Sequence, residues 1–171
     1  MDEMIRPPKY MSMAHTLFRA VAALGLAAGL TGTALAATLP PIGLWQGRYK
    51  CAQGQTALAL QITAISPTQV RAVFYFHALA SNPHVPQGCF SMQGHFDPAT
   101  RRLHLSPTRW LSQPKFYVWT GLSGTVGAGG AVLTGTIQGP ACTDFALKPS
   151  ATLPIPPAPP ACRMDQNGPT V

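Results

Sequence analysis

The side chains with the clearest capacity for chemistry crowd between positions 101 and 119. Arg101, Arg102, Arg109 and Lys115 are interleaved there with Trp110, Phe116, Tyr117 and Trp119. Guanidinium and ammonium groups bind phosphate, sulfate or carboxylate, while aromatic faces stack on sugars, bases or the boundary of a lipid layer. Trp110 stands between Pro107 and Pro114, where a regular core position is hard to build. The plainer reading puts the aromatics in the core and leaves the cations to rim them. Arg101, Arg102, Arg109, Trp110 and Lys115 are the candidate binding set. The partner they suit is an anionic envelope component or a glycan.

Catalytic and metal chemistry find less support. Histidines stand at 77, 84, 95 and 104, but the acids downstream of residue 40 are Asp97, Asp144 and Asp165 alone, with no glutamate. No G-x-S-x-G nucleophile elbow is present. A pair of facing carboxylates, as glycoside hydrolysis requires, would have to come from Asp97 and Asp144. Asp97 precedes Pro98, a pairing that turn formation explains. If Phe96 pairs with Arg101, then His95 opposes Arg102 and Gln93 opposes His104. The neighbouring cation then argues against a metal at His95 and His104. No cofactor motif, metal site or specific nucleic-acid motif is expected. Were the chain an enzyme, His95, His104 and Asp97 would be the residues to substitute.

The elements that must position these residues are strands. Residues 43–51 alternate strictly, Trp45, Gly47, Tyr49 and Cys51 on one face and Leu44, Gln46, Arg48 and Lys50 on the other. Further strands are expected over 56–62, 69–77, 89–96, 101–106, 116–126, 131–137 and 143–147, joined by short turns. In the third, both faces are apolar enough to be covered. Residues 78–87 hold two prolines and form a long loop shaping the rim of the binding set. Residues 107–114 are expected to be irregular. No segment carries helical periodicity for ten residues. The fold class is all-β: an antiparallel meander of about eight strands closing into a small barrel, with a two-sheet sandwich as the alternative.

The chain divides accordingly into four parts. Residues 1–36 read as a signal peptide, with Arg19 before an uncharged apolar run and Ala34-Leu35-Ala36 as the cleavage pattern. Met11 or Met13 suits such a peptide better as a start than the acidic opening at Met1. An uncleaved anchor over 17–37 is the rival reading. Residues 37–42 are a short lead, 43–148 the β-domain, and 149–171 a flexible proline-rich tail. No integral membrane segment remains after cleavage, and a periplasmic or secreted location follows. Beyond residue 37, nine lysines and arginines less three aspartates leave a net +6, which favours anionic partners. Four cysteines, at 51, 89, 142 and 162, imply two disulfides in an exported chain, with three connectivities open.

The stretches GLWQGRYKCAQGQTALALQI, NPHVPQGCFSMQGHFDPATRRLHLSPTRWL and LTGTIQGPACTDFALK resemble a family of small exported bacterial β-domains of uncharacterised function. The resemblance spans residues 43–148 and implies that Cys51 pairs with Cys142. Cys89 with Cys162 would then be an addition particular to this chain. It implies no active site. The opening Gly43-Leu44-Trp45 is also similar to the start of lipocalin-like barrels, which would imply an apolar ligand in the interior. The small periplasmic lysozyme inhibitors are similar in their tyrosine–cysteine pattern, but a basic chain has the wrong sign for docking a cationic enzyme.

Overall fold

The computed structural model describes residues 39–163. Eight antiparallel strands follow one another around a closed barrel: β1 (Gly43–Cys51), β2 (Gly54–Ala64), β3 (Gln69–His77), β4 (Gly88–Asp97), β5 (Arg102–Ser112), β6 (Gly121–Val126), β7 (Leu133–Gln138) and β8 (Asp144–Pro149). Each strand pairs with the next, and β8 returns to β1 from Trp45↔Pro149 to Tyr49↔Phe145. The meander and its closure match the expectation, and the sandwich is set aside. Closure leaves no sheet edge along most of the circumference. The expected signal peptide, its alternative start codons and residues 164–171 lie outside the described residues. Among those described, no helix is long and apolar enough to cross a membrane.

Alternation fills the interior. Leu58, Leu60, Ile62, Val70, Phe74, Phe90, Leu105, Leu133 and Leu147 all point inward and join one buried cluster. Tight coiling comes from glycine. A Cβ on Gly47, Gly94 or Gly135 would run into a backbone oxygen of the neighbouring strand, at Ala146, His104 and Ser123 respectively. Gly124 and Gly135 face each other on β6 and β7 and leave room for the Phe145 ring.

The barrel has two unlike ends. The base, where β1 begins, has short turns at 65–68 and 98–101, and the lead packs there with Pro40 and Pro41 buried. The Trp45 indole N–H donates to the Pro41 carbonyl at 2.9 Å. The other end, the mouth, carries the connections 52–53, 78–87, 113–120 and 139–143.

Several expectations are corrected. β5 does not stop at Ser106 but continues through Pro107 to Ser112. Two register shifts against β4 make this possible: Met92 pairs with Pro107, Ser91 with Arg109, and Phe90 with Trp110. A bulge tolerates a residue without an N–H, and the Thr108 hydroxyl donates to the Ser91 carbonyl at 3.1 Å across it. The β4–β5 register also differs from expectation, with Phe96 opposite Leu103 and His95 directly opposite His104. The reason is the turn. The Asp97 carboxylate accepts from the Ala99 N–H at 2.9 Å and the Thr100 hydroxyl at 2.6 Å, and Arg101 adopts φ 57° to close it. Residues 116–120, read as strand, are irregular: Tyr117 N–H turns back to the Pro114 carbonyl and Phe116 sits at φ 67°.

The tail is corrected as well, as far as residue 163. Instead of a flexible extension, it is a strap laid over the outer faces of β1 to β4. Ser150 N–H donates to the Leu44 carbonyl, the Tyr75 hydroxyl donates to the Pro156 carbonyl, and Cys162 is disulfide-bonded to Cys89. Ile155-Pro156 is a cis peptide. The strap covers a second buried cluster of Ala59, Val73, Tyr75, Cys89 and Cys162, which explains why the outer face of β3 is apolar. Proline suits that task because it carries hydrocarbon into a contact without an N–H that needs a partner.

Candidate functional site

Strand direction separates the candidate binding set. Arg101 lies in the β4–β5 turn and Arg102 begins β5, both at the base. Arg109 and Trp110 stand near the far end of β5, and Lys115 in the connection beyond it, all at the mouth. The seven residue steps of strand from Arg102 to Arg109 span about 20 Å. The five residues therefore fall into two groups, at opposite ends of β5.

The mouth is where the chemistry gathers. A cavity of about 250 Å³ opens there, walled by Tyr49, Phe74, Phe76, Phe90 and Tyr117, with Gln53 and Thr120 at its edge. The rings touch in series. Phe74 stacks on Phe90 at 4.7 Å and meets Tyr49 edge-on at 5.3 Å; Phe76 stacks on Tyr117 at 5.4 Å. Trp110 meets Phe90 edge-on at 5.1 Å and stacks on Trp119 at 6.5 Å, carrying the ladder to the surface. Below this layer the interior is occupied by buried side chains, Leu60, Leu105 and Leu147 among them.

The connection 113–120 projects the remaining groups outward. Phe116 is 93 % exposed, Val118 61 % and Trp119 44 %. Lys115 Nζ lies 5.4 Å from the Phe116 ring centroid, and Arg109 is exposed on β5, the strand that leads into this connection. A phenylalanine at positive φ is a conformational outlier, and it aims this ring at solvent instead of core.

Burial pushes the Tyr49 phenol well above its ordinary range, and the nearby Tyr117 phenol adds to that shift. Tyr49 accepts from the Gln53 amide at 3.0 Å. Burial likewise raises Tyr117. The loop 78–87 braces this rim: the Asn82 amide donates to the Gln53 and Gln55 carbonyls, and Val85 is buried. Cys51 is bonded to Cys142 at the cavity wall, the pairing that the family resemblance implies.

The other candidates stand elsewhere. His95 and His104 face each other on the outside of the barrel near the base, ring centroids 6.0 Å apart, and His104 Nδ1 is 2.7 Å from the Ser123 hydroxyl. Among the described residues no group of three His, Cys, Asp or Glu could hold a metal ion. Asp97 is held by its turn, whose hydrogen bonds from Thr100 and Ala99 keep its carboxyl below the ordinary range. Asp144 accepts from the Thr143 hydroxyl at the mouth end of β8, and Asp165 lies outside the described residues.

Sequence reasoning took Tyr49, Phe74, Phe76 and Phe90 for ordinary core. The available signal was positional: Tyr49 and Phe76 sit in the last third of a base-to-mouth strand, Phe74 just before it, and Phe90 in the first third of a mouth-to-base one. Scanned against protein-family models, curated proteins and solved structures, the chain returns no match.

Proposed function

We propose that this chain is a non-enzymatic binding module that works outside the cytoplasm and docks its mouth on an anionic lipid surface of the envelope. The observation that carries the reading is Phe116, almost wholly exposed, at positive φ, and with the Lys115 ammonium 5.4 Å from its ring. Exposed apolar rings rimmed by cations suit a lipid boundary, where the ring enters the acyl region and the cations meet phosphate. The two disulfides agree with an oxidising compartment. Arg109, Trp110 and Lys115 keep the role that the sequence suggests, while Arg101 and Arg102 lie at the wrong end for it.

Vesicle co-sedimentation tests the reading. Phosphatidylglycerol-containing vesicles should retain the protein and pure phosphatidylcholine vesicles should not, with binding weakened by added salt. Burying one phenylalanine is worth about 2 kcal/mol, so Phe116→Ser should lower the partition coefficient roughly thirtyfold. Arg109→Glu with Lys115→Glu should abolish retention, whereas Arg101→Glu with Arg102→Glu should change it by less than about threefold. The base also exposes Leu39, Ile42 and Ile65. If the pair at the base proves the damaging one, or binding ignores lipid charge, the proposal fails.

A further inference from the structure

The mouth cavity has a property that docking on a surface does not use: none of the residues lining it is charged. Its body is the five rings of Tyr49, Phe74, Phe76, Phe90 and Tyr117, with the exposed Phe116 ring as a sixth at its lip. Its polar edge is the Tyr49 and Tyr117 hydroxyls, the Gln53 amide and the Thr120 hydroxyl. A closed apolar cavity of about 150 Å³ takes one benzene ring. At about 250 Å³, the mouth has room for two fused rings, short of the volume of ordinary drug-sized sites. We infer that the mouth cavity is a binding site for one neutral, planar aromatic molecule of about two fused rings that carries a hydroxyl or carbonyl group.

Three features set that chemistry. The stacked pairs Phe74–Phe90 and Phe76–Tyr117 present ring faces and edges against which a flat ring gains offset-stacked and edge-on contacts. An anion entering this part would lose its water without gaining a cationic partner, because Arg109 and Lys115 are not in the lining. Tyr49 is already held in its neutral form and is fixed by the Gln53 amide, so one polar partner stands ready at a defined place. A straight alkyl chain of equal size would fill the space without using the ring geometry. The inference does not depend on the lipid-docking reading.

Titration of 2-naphthol into the oxidised full chain, in lipid-free buffer and followed by naphthol fluorescence, tests it. Binding with Kd below about 1 mM is expected, as ligand efficiencies for so small a molecule allow. 2-Naphthoate and 1-octanol should each bind at least about tenfold more weakly, since one adds a charge and the other lacks a ring. Ala52→Phe places a ring at the cavity lip from an exposed turn residue and should weaken naphthol binding at least about tenfold with the fold intact. Tyr49→Phe should keep the affinity for naphthalene, which has no polar group, while lowering naphthol affinity, which a merely structural tyrosine would not do. Absence of naphthol binding overturns the inference, as does equal affinity for naphthoate or octanol, or indifference to Ala52→Phe. Because no lipid is present, none of these results bears on the vesicle experiment.

Discussion

The two ends of this barrel are built from the same eight strands and the same alternation, yet they are finished differently. At the base, Ile62, Val70, Phe96, Val126 and Leu133 close the interior, two of the three connections are four-residue turns, and the lead folds over Trp45. At the mouth, aromatic rings take the aliphatic positions, the connections lengthen, and the outermost rings are left in solvent. Leu39, Ile42 and Ile65 are exposed at the base too, but all three are aliphatic. The contrast separates an end whose interior is sealed from one that leaves aromatic rings in solvent, the surface proposed above for docking.

Substitutions that should be costly at one end and tolerated at the other can break that division. Trp45→Ala is expected to have the largest effect. It empties a buried indole site and removes the hydrogen bond to Pro41, and such truncations cost about 3–5 kcal/mol. Urea unfolding followed by circular dichroism would read this as a large drop in midpoint. A loss below about 1 kcal/mol would mean the base is not the rigid end.

The strap offers the next test. Cys89→Ser with Cys162→Ser removes a cross-link of sequence separation 73 and should cost about 2–4 kcal/mol. It should also release Val73 and Tyr75 to solvent, raising the fluorescence of an apolar dye on the folded protein. The vesicle partition of the mouth should be unchanged, because the strap lies on the outer wall. If partition falls in step with stability, the mouth is not independent of the wall.

Much of the first region was legible in the sequence, and less of the second. Alternation in residues 43–51, 56–62 and 69–77 identifies strands whose inward residues the structure buries in one cluster, although β2 and β3 are covered on their outer faces as well. The apolar outer face of β3 announced a cover, but proline density concealed that residues 150–163 supply it. Pro107 looked like a strand end, since a bulge that admits it depends on its partner Met92, far away in the chain. Grouping Arg101 with Lys115 failed for a related reason. Nearness in sequence is nearness in space only where the chain turns, and β5 does not turn between Arg102 and Ser112.

Phe116→Gly sharpens the contrast from the mouth side. A glycine adopts φ 67° without penalty, whereas a side chain there costs about 1–2 kcal/mol, and this ring buries nothing in return. The variant should be as stable as the natural chain or up to about 1 kcal/mol more so, while its anionic-vesicle partition falls at least about tenfold. Gain in one readout with loss in the other is the mark of a residue kept for contact. A destabilised variant would show that Phe116 serves the fold.

The smallest effect should appear as a pH dependence that differs between the ends. At the mouth, Tyr49 titrates above its unfolded value near 10, so between the two values the folded chain holds a proton that the unfolded chain has released. Its contribution to stability is complete below about pH 10 and is lost as pH climbs toward the folded value. His77, also at the mouth, is shifted the other way by burial, so its contribution is complete above about pH 6.5 and is lost as pH falls through its folded value. At the base, Asp97 is depressed by its turn hydrogen bonds and loses its contribution only as pH drops below the ordinary carboxylate range. Thermal midpoints measured from pH 9 to 12 should fall less steeply in Tyr49→Phe than in the natural chain. Absorbance near 295 nm should show the phenol ionising late in the folded protein. Identical alkaline slopes for the two proteins would mean that the Tyr49 phenol reaches water freely, and the mouth would then be far more open than its ring contacts require.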